Sequence, residues 1–207
     1  MNKKNILILT CATALLPLVA HADAGSWLDA YYVPSLNIKA SAAGTSGSAG
    51  YKGYGARGLA EFQQHFDLTG EYEKISGKGS NDADGQQTRL GGGLQTAPGP
   101  VRGGIYGEYI YSRASAGGNS TNADGYGLHL QLSADLMPGL TAYGRVGRVD
   151  LKNKDTDAKA IGPEYRIGMT FMGPTVGLFT EYRIDRSSSG GVDTDAREFR
   201  VGLRFPF

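Results

Sequence analysis

The sequence predicts an all-β protein, a transmembrane antiparallel up-and-down β-barrel of ten strands, with eight strands as the alternative. Three observations support this prediction. Apolar and polar residues alternate along segments of about eleven residues, a length that suits a tilted strand crossing a bilayer. These segments are connected alternately by tight turns and by long polar stretches. The last segment keeps an uninterrupted apolar face up to Phe207.

The first 22 residues have the pattern of a cleaved secretory signal peptide. Lys3 and Lys4 precede an apolar run over residues 6–20, and Ala-His-Ala at 20–22 fits an A-x-A cleavage site. The run is shorter than the roughly 20 residues of a spanning helix. We therefore predict a signal peptide over residues 1–22.

The barrel domain is expected to cover residues 23–207, or to begin after Ala24 if cleavage occurs there. Loss of the signal peptide leaves 19 Lys and Arg against 20 Asp and Glu, a net charge of −1. Nucleic-acid binding needs an excess of cations, so no nucleic-acid partner is expected. The only cysteine, Cys11, lies in the signal peptide, which leaves no disulfide framework.

Ten segments of the mature chain alternate in this way, at 27–38, 51–62, 66–76, 87–96, 101–113, 124–136, 139–152, 161–172, 174–187 and 195–207. Links after odd-numbered strands are long and polar, as at 40–50 and 114–124, whereas links after even-numbered strands are tight, as at Pro138-Gly139. This asymmetry is typical of extracellular loops and periplasmic turns. A soluble β-sandwich is the alternative, but its polar faces usually carry many lysines, which here lie mostly in loops or near strand ends.

The two faces can be assigned in the clearest strands. Leu128 and Leu130 face outward with His129 between them, whereas strand seven stays open because Arg145 and Arg148 fall on opposite faces. The inward positions carry both signs of charge, which favours pairing in a narrow bore. We predict a lumen network of Arg57, Glu61, Glu71, Arg89, Arg102, Glu108, Glu164, Arg166, Glu181, Arg183, Glu198, Arg200 and Arg204.

Aromatic residues near strand ends predict girdles at the level of the lipid headgroups. These are Trp27, Tyr31, Tyr32, Tyr111, Tyr126 and Phe207.

The last nine residues place apolar side chains at every second position. They are Phe199, Val201, Leu203, Phe205 and Phe207. This segment resembles the C-terminal insertion signal of bacterial outer-membrane β-barrels. With the signal peptide and the strand pattern, the chain resembles small barrels of the OmpA-transmembrane and OmpX type, with ten strands instead of eight. The resemblance implies a Gram-negative outer membrane, both termini in the periplasm, contact with outer-membrane lipid, and recognition by the barrel-assembly machinery through the last strand.

A structural or surface-interaction role with a lumen plugged by Arg–carboxylate pairs is the function that the sequence favours. A narrow porin-like channel for small solutes or ions is the alternative, and a lipid-modifying enzyme is the third. Acyl transfer needs a base beside a nucleophile. His65 falls in a turn and Ser133 is too far along the strand to reach His129. We therefore predict no catalytic residue, metal ligand or cofactor.

Overall fold

The computed structural model describes residues 25–63, 65–78, 83–96 and 98–207. The predicted signal peptide lies outside these residues. The described residues form ten strands. They are β1 (Trp27–Ala42), β2 (Thr45–Phe62), β3 (Phe66–Gly77), β4 (Ala83–Gln95), β5 (Val101–Ala116), β6 (Asn119–Met137), β7 (Leu140–Asn153), β8 (Lys159–Met172), β9 (Gly177–Ser189) and β10 (Val192–Pro206). No helix of the described residues is long and apolar enough to span a membrane.

The strands form one closed antiparallel barrel, which confirms the predicted fold class and strand count. Each strand pairs with its neighbours in sequence, and β1 pairs with β10 to close the cylinder. We call the end with the β2–β3, β4–β5, β6–β7 and β8–β9 turns the lower end, and the opposite end the upper end. Closure removes both sheet edges, so that backbone groups of all ten strands have partners, as a bilayer requires.

The predicted length of the polar loops at the upper end is wrong, because most of their residues belong to strands. The predicted link at 40–50 shrinks to the turn Ala43-Gly44, and the link at 114–124 shrinks to Gly117-Gly118. Both turn residues have positive φ in each case, at 46° and 83° and at 56° and 83°. Such two-residue turns match the twist of paired strands, and glycine adopts them without strain, so the strands continue to the tip.

The lower part of the barrel, which we call the spanning zone, has an apolar outer surface. It comprises residues 27–34, 54–62, 66–73, 87–95, 101–109, 126–137, 140–147, 164–172, 177–183 and 198–206. Outward positions in these described segments carry no charged residue, and side chains such as Leu130 and Ile167 remain 59% and 66% exposed. Each segment is close to the roughly 9–11 residues that a tilted strand needs to cross a bilayer. This surface suits hydrocarbon, not water.

The upper part, which we call the collar, reverses this pattern. It comprises the described residues of 35–53, 74–86, 110–125, 148–163 and 184–197. Lys39 and Arg186 point outward there, whereas Leu36 and Ile38 point inward and pack with Ile75. Strands of 12 to 19 residues exceed the length needed to cross hydrocarbon. The collar therefore has the pattern of a soluble β-barrel, with water outside and apolar side chains inside.

Large side chains fit inside the spanning zone because glycines face them on the neighbouring strand. Tyr31 lies opposite Gly55 and Tyr143 lies opposite Gly168 in the strand register. A Cβ atom on either glycine would lie 2.4 Å from the tyrosine ring. Any larger residue at these two positions would therefore push the ring out of the lumen.

Two aromatic residues expected in the girdles face the lumen instead. Tyr31 is 5% exposed and donates a hydrogen bond to Glu73, with its oxygen 3.1 Å from the carboxylate. The ring of Trp27 lies 3.7 Å from the guanidinium carbon of Arg204. Each follows from strand parity, since both share the inward face of Asp29, where Arg200 lies over the Tyr31 ring and Arg204 over the Trp27 ring.

Candidate functional site

Arg200 is the centre of the charged lumen. This arginine on β10 is fully buried and lies between carboxylates of three strands. Its Nη1 lies 2.7 Å from Glu71 and 3.1 Å from Glu181, and its Nη2 lies 2.6 Å from Glu73. Its Nε donates to Glu198, two residues earlier on β10. All three guanidinium nitrogens are therefore used, which matches the fork geometry of arginine.

A second arginine joins this centre to the lower end. Arg57 on β2 places Nε 2.9 Å from Asp29 and Nη1 2.6 Å from Glu181, and Nη2 donates to the Tyr143 hydroxyl at 3.1 Å. Asp29 also accepts two hydrogen bonds from Arg204, at 2.7 and 2.8 Å. Because Asp29 is fully buried, its charge depends on these two arginines for compensation.

The opposite wall holds a similar group around Glu164 and Glu108. Arg89 on β4 reaches across the lumen to Glu164 on β8 at 2.6 Å, and lies 3.3 Å from Glu108. Arg145 contacts Glu108 at 2.6 Å, and Arg183 contacts Glu164 at 3.1 Å. Contacts between β4 and β8 cross the bore, so the charges meet in the middle of the barrel and not only along its wall.

Arg166 links the two groups into one network. Its Nη1 lies 3.1 Å from Glu71 and its Nε 2.8 Å from Glu164. Among the described residues the connected set is Arg57, Arg89, Arg145, Arg166, Arg183, Arg200 and Arg204 with Asp29, Glu71, Glu73, Glu108, Glu164, Glu181, Asp185 and Glu198. Eleven of these fifteen residues are at most 8% exposed. Removing charge from water at so many positions is costly, and the dense pairing offsets that cost.

Eleven of the thirteen residues that the sequence placed in the lumen network belong to this connected set. Arg102 and Glu61 also line the lumen, near its lower opening, but form no ion pair with another described residue. Asp29, Glu73, Arg145 and Asp185 belong to the set although they were not among the thirteen. Strand parity could have identified Asp29 and Arg145, because each alternates with outward apolar neighbours. Arg148, the other open position on β7, faces outward in the collar.

His129 lies among carboxylates and not beside a hydroxyl. Its Nε2 is 3.3 Å from Glu164 and its Nδ1 is 3.7 Å from Glu108, and the ring is 1% exposed. Neither ring nitrogen has a hydrogen-bond partner among the described residues. A base needs an adjacent nucleophile or water together with an open approach. The surroundings of His129 supply counter-charges for the arginines and do not have that arrangement.

A cavity of about 280 Å³ opens below the network at the lower end. Arg57, Glu181 and Arg166 form part of its upper wall, and Trp27 and Met172 lie nearer its opening. Within the part of the chain that the structure describes, no group of three His, Cys, Asp or Glu residues is arranged to hold a metal ion.

The five apolar residues of the predicted insertion signal line the outside of the closing strand. Phe199, Val201, Leu203, Phe205 and Phe207 are all 39–43% exposed. The backbone amide of Phe207 donates to the carbonyl of Ser26 at 3.2 Å, next to the pairing of β1 and β10. The last strand therefore carries both the seam of the barrel and a continuous apolar ridge.

No protein-family model matches this chain, and the comparison with curated proteins finds no match. Solved structures do match. The outer membrane protease OmpT from Escherichia coli aligns with a TM-score of 0.57 at 10% identity, over 88% of this chain and 96% of that one. The β domain of the Bordetella autotransporter BrkA gives 0.54 at 15% identity, over 89% and 100%. An outer membrane channel from Pseudomonas putida F1 gives 0.53 at 14% identity, over 89% and 96%.

These similarities confirm that the chain has the fold of bacterial outer-membrane β-barrels. The three matched proteins are a protease, an autotransporter domain and a channel. A shared fold does not select among such roles, so the function has to be argued from the lumen and the surfaces of this chain.

Proposed function

We propose that the protein spans the outer membrane with its lower end, and both termini, in the periplasm and its collar outside. The uncharged outer surface of the spanning zone supports this placement. A charge at mid-bilayer costs about 2–4 kcal/mol, so ten strands without one indicate selection against charge on that surface. The long strands continue past the bilayer on the collar side only, where polar hairpins such as Gly190-Gly191 form the tips.

We propose that the barrel is a closed structural and surface protein and not a pore. The observation that carries this proposal is the continuous ion network around Arg200, which fills the middle of the lumen with mostly buried side chains. An aqueous pore would leave its lining charges exposed. Above the network, Leu36, Ile38 and Ile75 belong to an apolar cluster that fills one side of the same bore inside the collar.

Planar-bilayer recording tests this closure. We expect the refolded wild-type protein to show no steady conductance. The double variant Arg200→Ala/Glu181→Ala removes the centre of the network without leaving a net charge change, and should show transient conductance steps. A matched control, Arg186→Ala/Asp195→Ala, removes an ion pair from the outer surface of the collar and should stay closed. Steady wild-type conductance would contradict closure and restore the narrow channel.

We propose that the protein has no lipid-modifying activity, because His129 faces Glu108 and Glu164 in a buried setting. An assay of fatty-acid release from mixed outer-membrane lipid, with wild type and His129→Ala compared, tests this. We expect no release above that of a refolded unrelated barrel. Release by the wild type that the variant lacks would support an enzyme instead.

We propose that the apolar ridge of β10 is recognised by the barrel-assembly machinery. Deletion of Phe207 shortens this ridge without touching the lumen network, so the folded barrel should remain stable once refolded in detergent. Assembly in cells should fall sharply, measured as the heat-modifiable form in the outer-membrane fraction. Phe207→Tyr, which keeps an aromatic end, is the control. Normal assembly of the deletion variant would contradict this role.

A further inference from the structure

Outward-facing cations are confined to the collar. Among the described residues, the outer surface of the spanning zone has none, whereas outward positions within the strands of the collar carry nine cations and five carboxylates. The cations are Lys39, Lys52, Lys74, Arg113, Arg148, Lys152, Lys159, Arg186 and Arg197, and the carboxylates are Asp84, Asp124, Asp150, Asp193 and Asp195. The lower boundary of the spanning zone lacks any such charge. The two membrane boundaries therefore face surroundings of different electrostatic character.

Tyrosines mark the level at which the cations begin. Eight of the twelve tyrosines point outward, just below or among the collar cations. They are Tyr32, Tyr54, Tyr72, Tyr109, Tyr111, Tyr126, Tyr165 and Tyr182. Tyr54 pairs with Lys74 in the strand register, and Tyr126 pairs with Asp150. Tyrosine has an apolar ring and a polar tip and collects at headgroup level, so the cations lie where headgroups meet the barrel.

Three of these cations lie on one row across five strands. Arg148 on β7 pairs with Pro163 on β8, and Arg186 on β9 pairs with Asp195 on β10, which in turn pairs with Lys39 on β1. The pairs on either side of Pro163 place it opposite Arg186. Since strands lie about 4.8 Å apart, successive cations of the row are separated by about 10 Å. Pro163 is short, which leaves space between the two arginines.

Part of the same row lines a groove in the wall of the collar. Its volume is about 500 Å³, and its lining includes Lys39, Pro163, Arg186, Asp193 and Asp195 together with hydroxyl groups. Arg148 lies beside the groove, because it pairs with Pro163 in the strand register. The hydroxyls belong to Ser41, Ser46, Ser187, Ser188 and Thr194. Asp195 is already compensated, because Arg186 lies 3.3 Å and Arg197 2.8 Å from its carboxylate. Guanidinium, ammonium and hydroxyl donors therefore face the groove together, which is the donor set that phosphate oxygens accept.

We propose that the cations of this row, Arg148, Arg186 and Lys39, bind the phosphorylated headgroup of a lipid in the leaflet at the collar, at and beside this groove. The proposal rests on the membrane placement given under the proposed function. Arg148 has no carboxylate of the described residues within ion-pair distance, and Arg186 is more than half exposed, so both have donors left for a ligand. Tyr182, Ile184 and Phe199 cover the wall directly below, and acyl chains would lie against them. An anionic head above an apolar tail fits this surface better than a free anion.

Lipid retention during purification in nanodiscs tests the proposal. The refolded protein is placed in nanodiscs of phosphatidylcholine containing a small fraction of either a diphosphorylated glucosamine lipid or phosphatidylglycerol, and bound lipid is counted by native mass spectrometry after release. Arg148→Gln/Arg186→Gln is compared with Lys152→Gln/Lys154→Gln. The control makes the same charge change, but its lysines are already paired with Asp157 and Asp124.

We expect the wild type to retain the diphosphorylated lipid, and Arg148→Gln/Arg186→Gln to weaken retention about thirtyfold, since each cation contributes about a fivefold gain at an anionic surface. Arg148→Lys/Arg186→Lys, which keeps the charge, should retain part of the binding and also shows that substitution here is tolerated. Equal retention by wild type and the Gln double variant would overturn the proposal, as would equal losses in the Gln double variant and the control. Complete displacement by millimolar inorganic phosphate would identify a free-anion site instead. Failure of the protein to enter nanodiscs at all would count against the membrane placement, not the headgroup.

Discussion

The spanning zone and the collar are built from the same ten strands and yet have opposite faces. Below, arginines and carboxylates fill the lumen and leucines cover the outside, whereas above, Leu36 and Ile38 fill the lumen and lysines and arginines cover the outside. The backbone does not cause this difference, because the ladders run unbroken through most strands. The surrounding solvent does. Each strand changes its apolar face where it leaves hydrocarbon and enters water.

Loss of Arg200 should produce the largest effect and test the interior of the spanning zone. Arg200→Ala leaves Glu71, Glu73, Glu181 and Glu198 without their shared cation in a buried setting, and removing one partner of a buried ion pair costs about 3–5 kcal/mol. The free energy of unfolding in urea, measured in lipid vesicles, should fall by that amount. Arg186→Ala, at an exposed pair of the collar, should change it by about 0–1 kcal/mol. Equal losses would contradict the distinction between the two interiors.

The outer surfaces of the spanning zone and of the collar can be compared by adding one charge to each. Leu130→Arg places a cation in the middle of the lipid-facing surface and should lower the free energy of unfolding by about 2–4 kcal/mol. Asn37→Arg, at an outward position of the collar, should change it by less than about 0.5 kcal/mol. Vesicle-based urea titration of both variants gives the comparison. A neutral Leu130→Arg would mean that hydrocarbon does not cover this surface.

A smaller loss of stability should distinguish a side chain that packs against protein from one that packs against lipid. Ile110 is fully buried at the base of the collar, so Ile110→Val leaves a space that its neighbours cannot fill and should cost about 0.5–1.5 kcal/mol. Ile105→Val, on the same strand but facing outward, should cost less because mobile acyl chains fill the space. The difference in urea midpoint between the two variants is the quantity to measure. A larger loss for Ile105→Val would reverse the assignment of faces.

The smallest effect is expected at the exposed β7–β8 link. A hydrogen bond from Lys152, at 2.7 Å, lowers the pKa of Asp157. A lowered pKa stabilises the fold above the ordinary aspartate range, and this contribution disappears as the pH falls through the folded value. Solvent screens the pair, so Asp157→Asn should leave the urea midpoint unchanged at neutral and at acid pH. Asn also tolerates the positive φ of 59° at this position. A pH-dependent loss would show that the link stabilises the collar.

Parity along the strands made most of the fold predictable, and it also explains what was missed. Arg166 and Arg200 could be placed in the lumen because apolar residues flank each of them on both sides. The sequence could not show which of Arg145 and Arg148 faces the lumen. Between these two residues β7 leaves the hydrocarbon and enters water, so the apolar side chains move from the outer face of the strand to its inner face. The turns at Ala43-Gly44 and Gly117-Gly118 were hidden for the same reason. Sequences rich in serine and glycine resemble loops until the apolar residues between them are recognised as the interior of the collar.

The sequence could not predict which residues meet across the bore. Three strands lie between Arg89 on β4 and Glu164 on β8, and only closure of the cylinder brings the two side chains to 2.6 Å. Alternation predicts which side of a strand a residue occupies, but it carries no information on height along the axis. The stagger between strands determines which arginine meets which carboxylate.

With the collar outside the cell, as proposed, the two-residue turns would determine what several tips of the barrel present. At Ala43-Gly44, Gly117-Gly118 and Gly190-Gly191 the strands continue up to the turn, so these three tips offer short hairpins and no long flexible segment. Antibodies, phages and proteases that need flexible peptide would find little to bind at these three tips. A short epitope inserted at any of them would consequently be presented on a stiff pedestal, raised above the surrounding lipid.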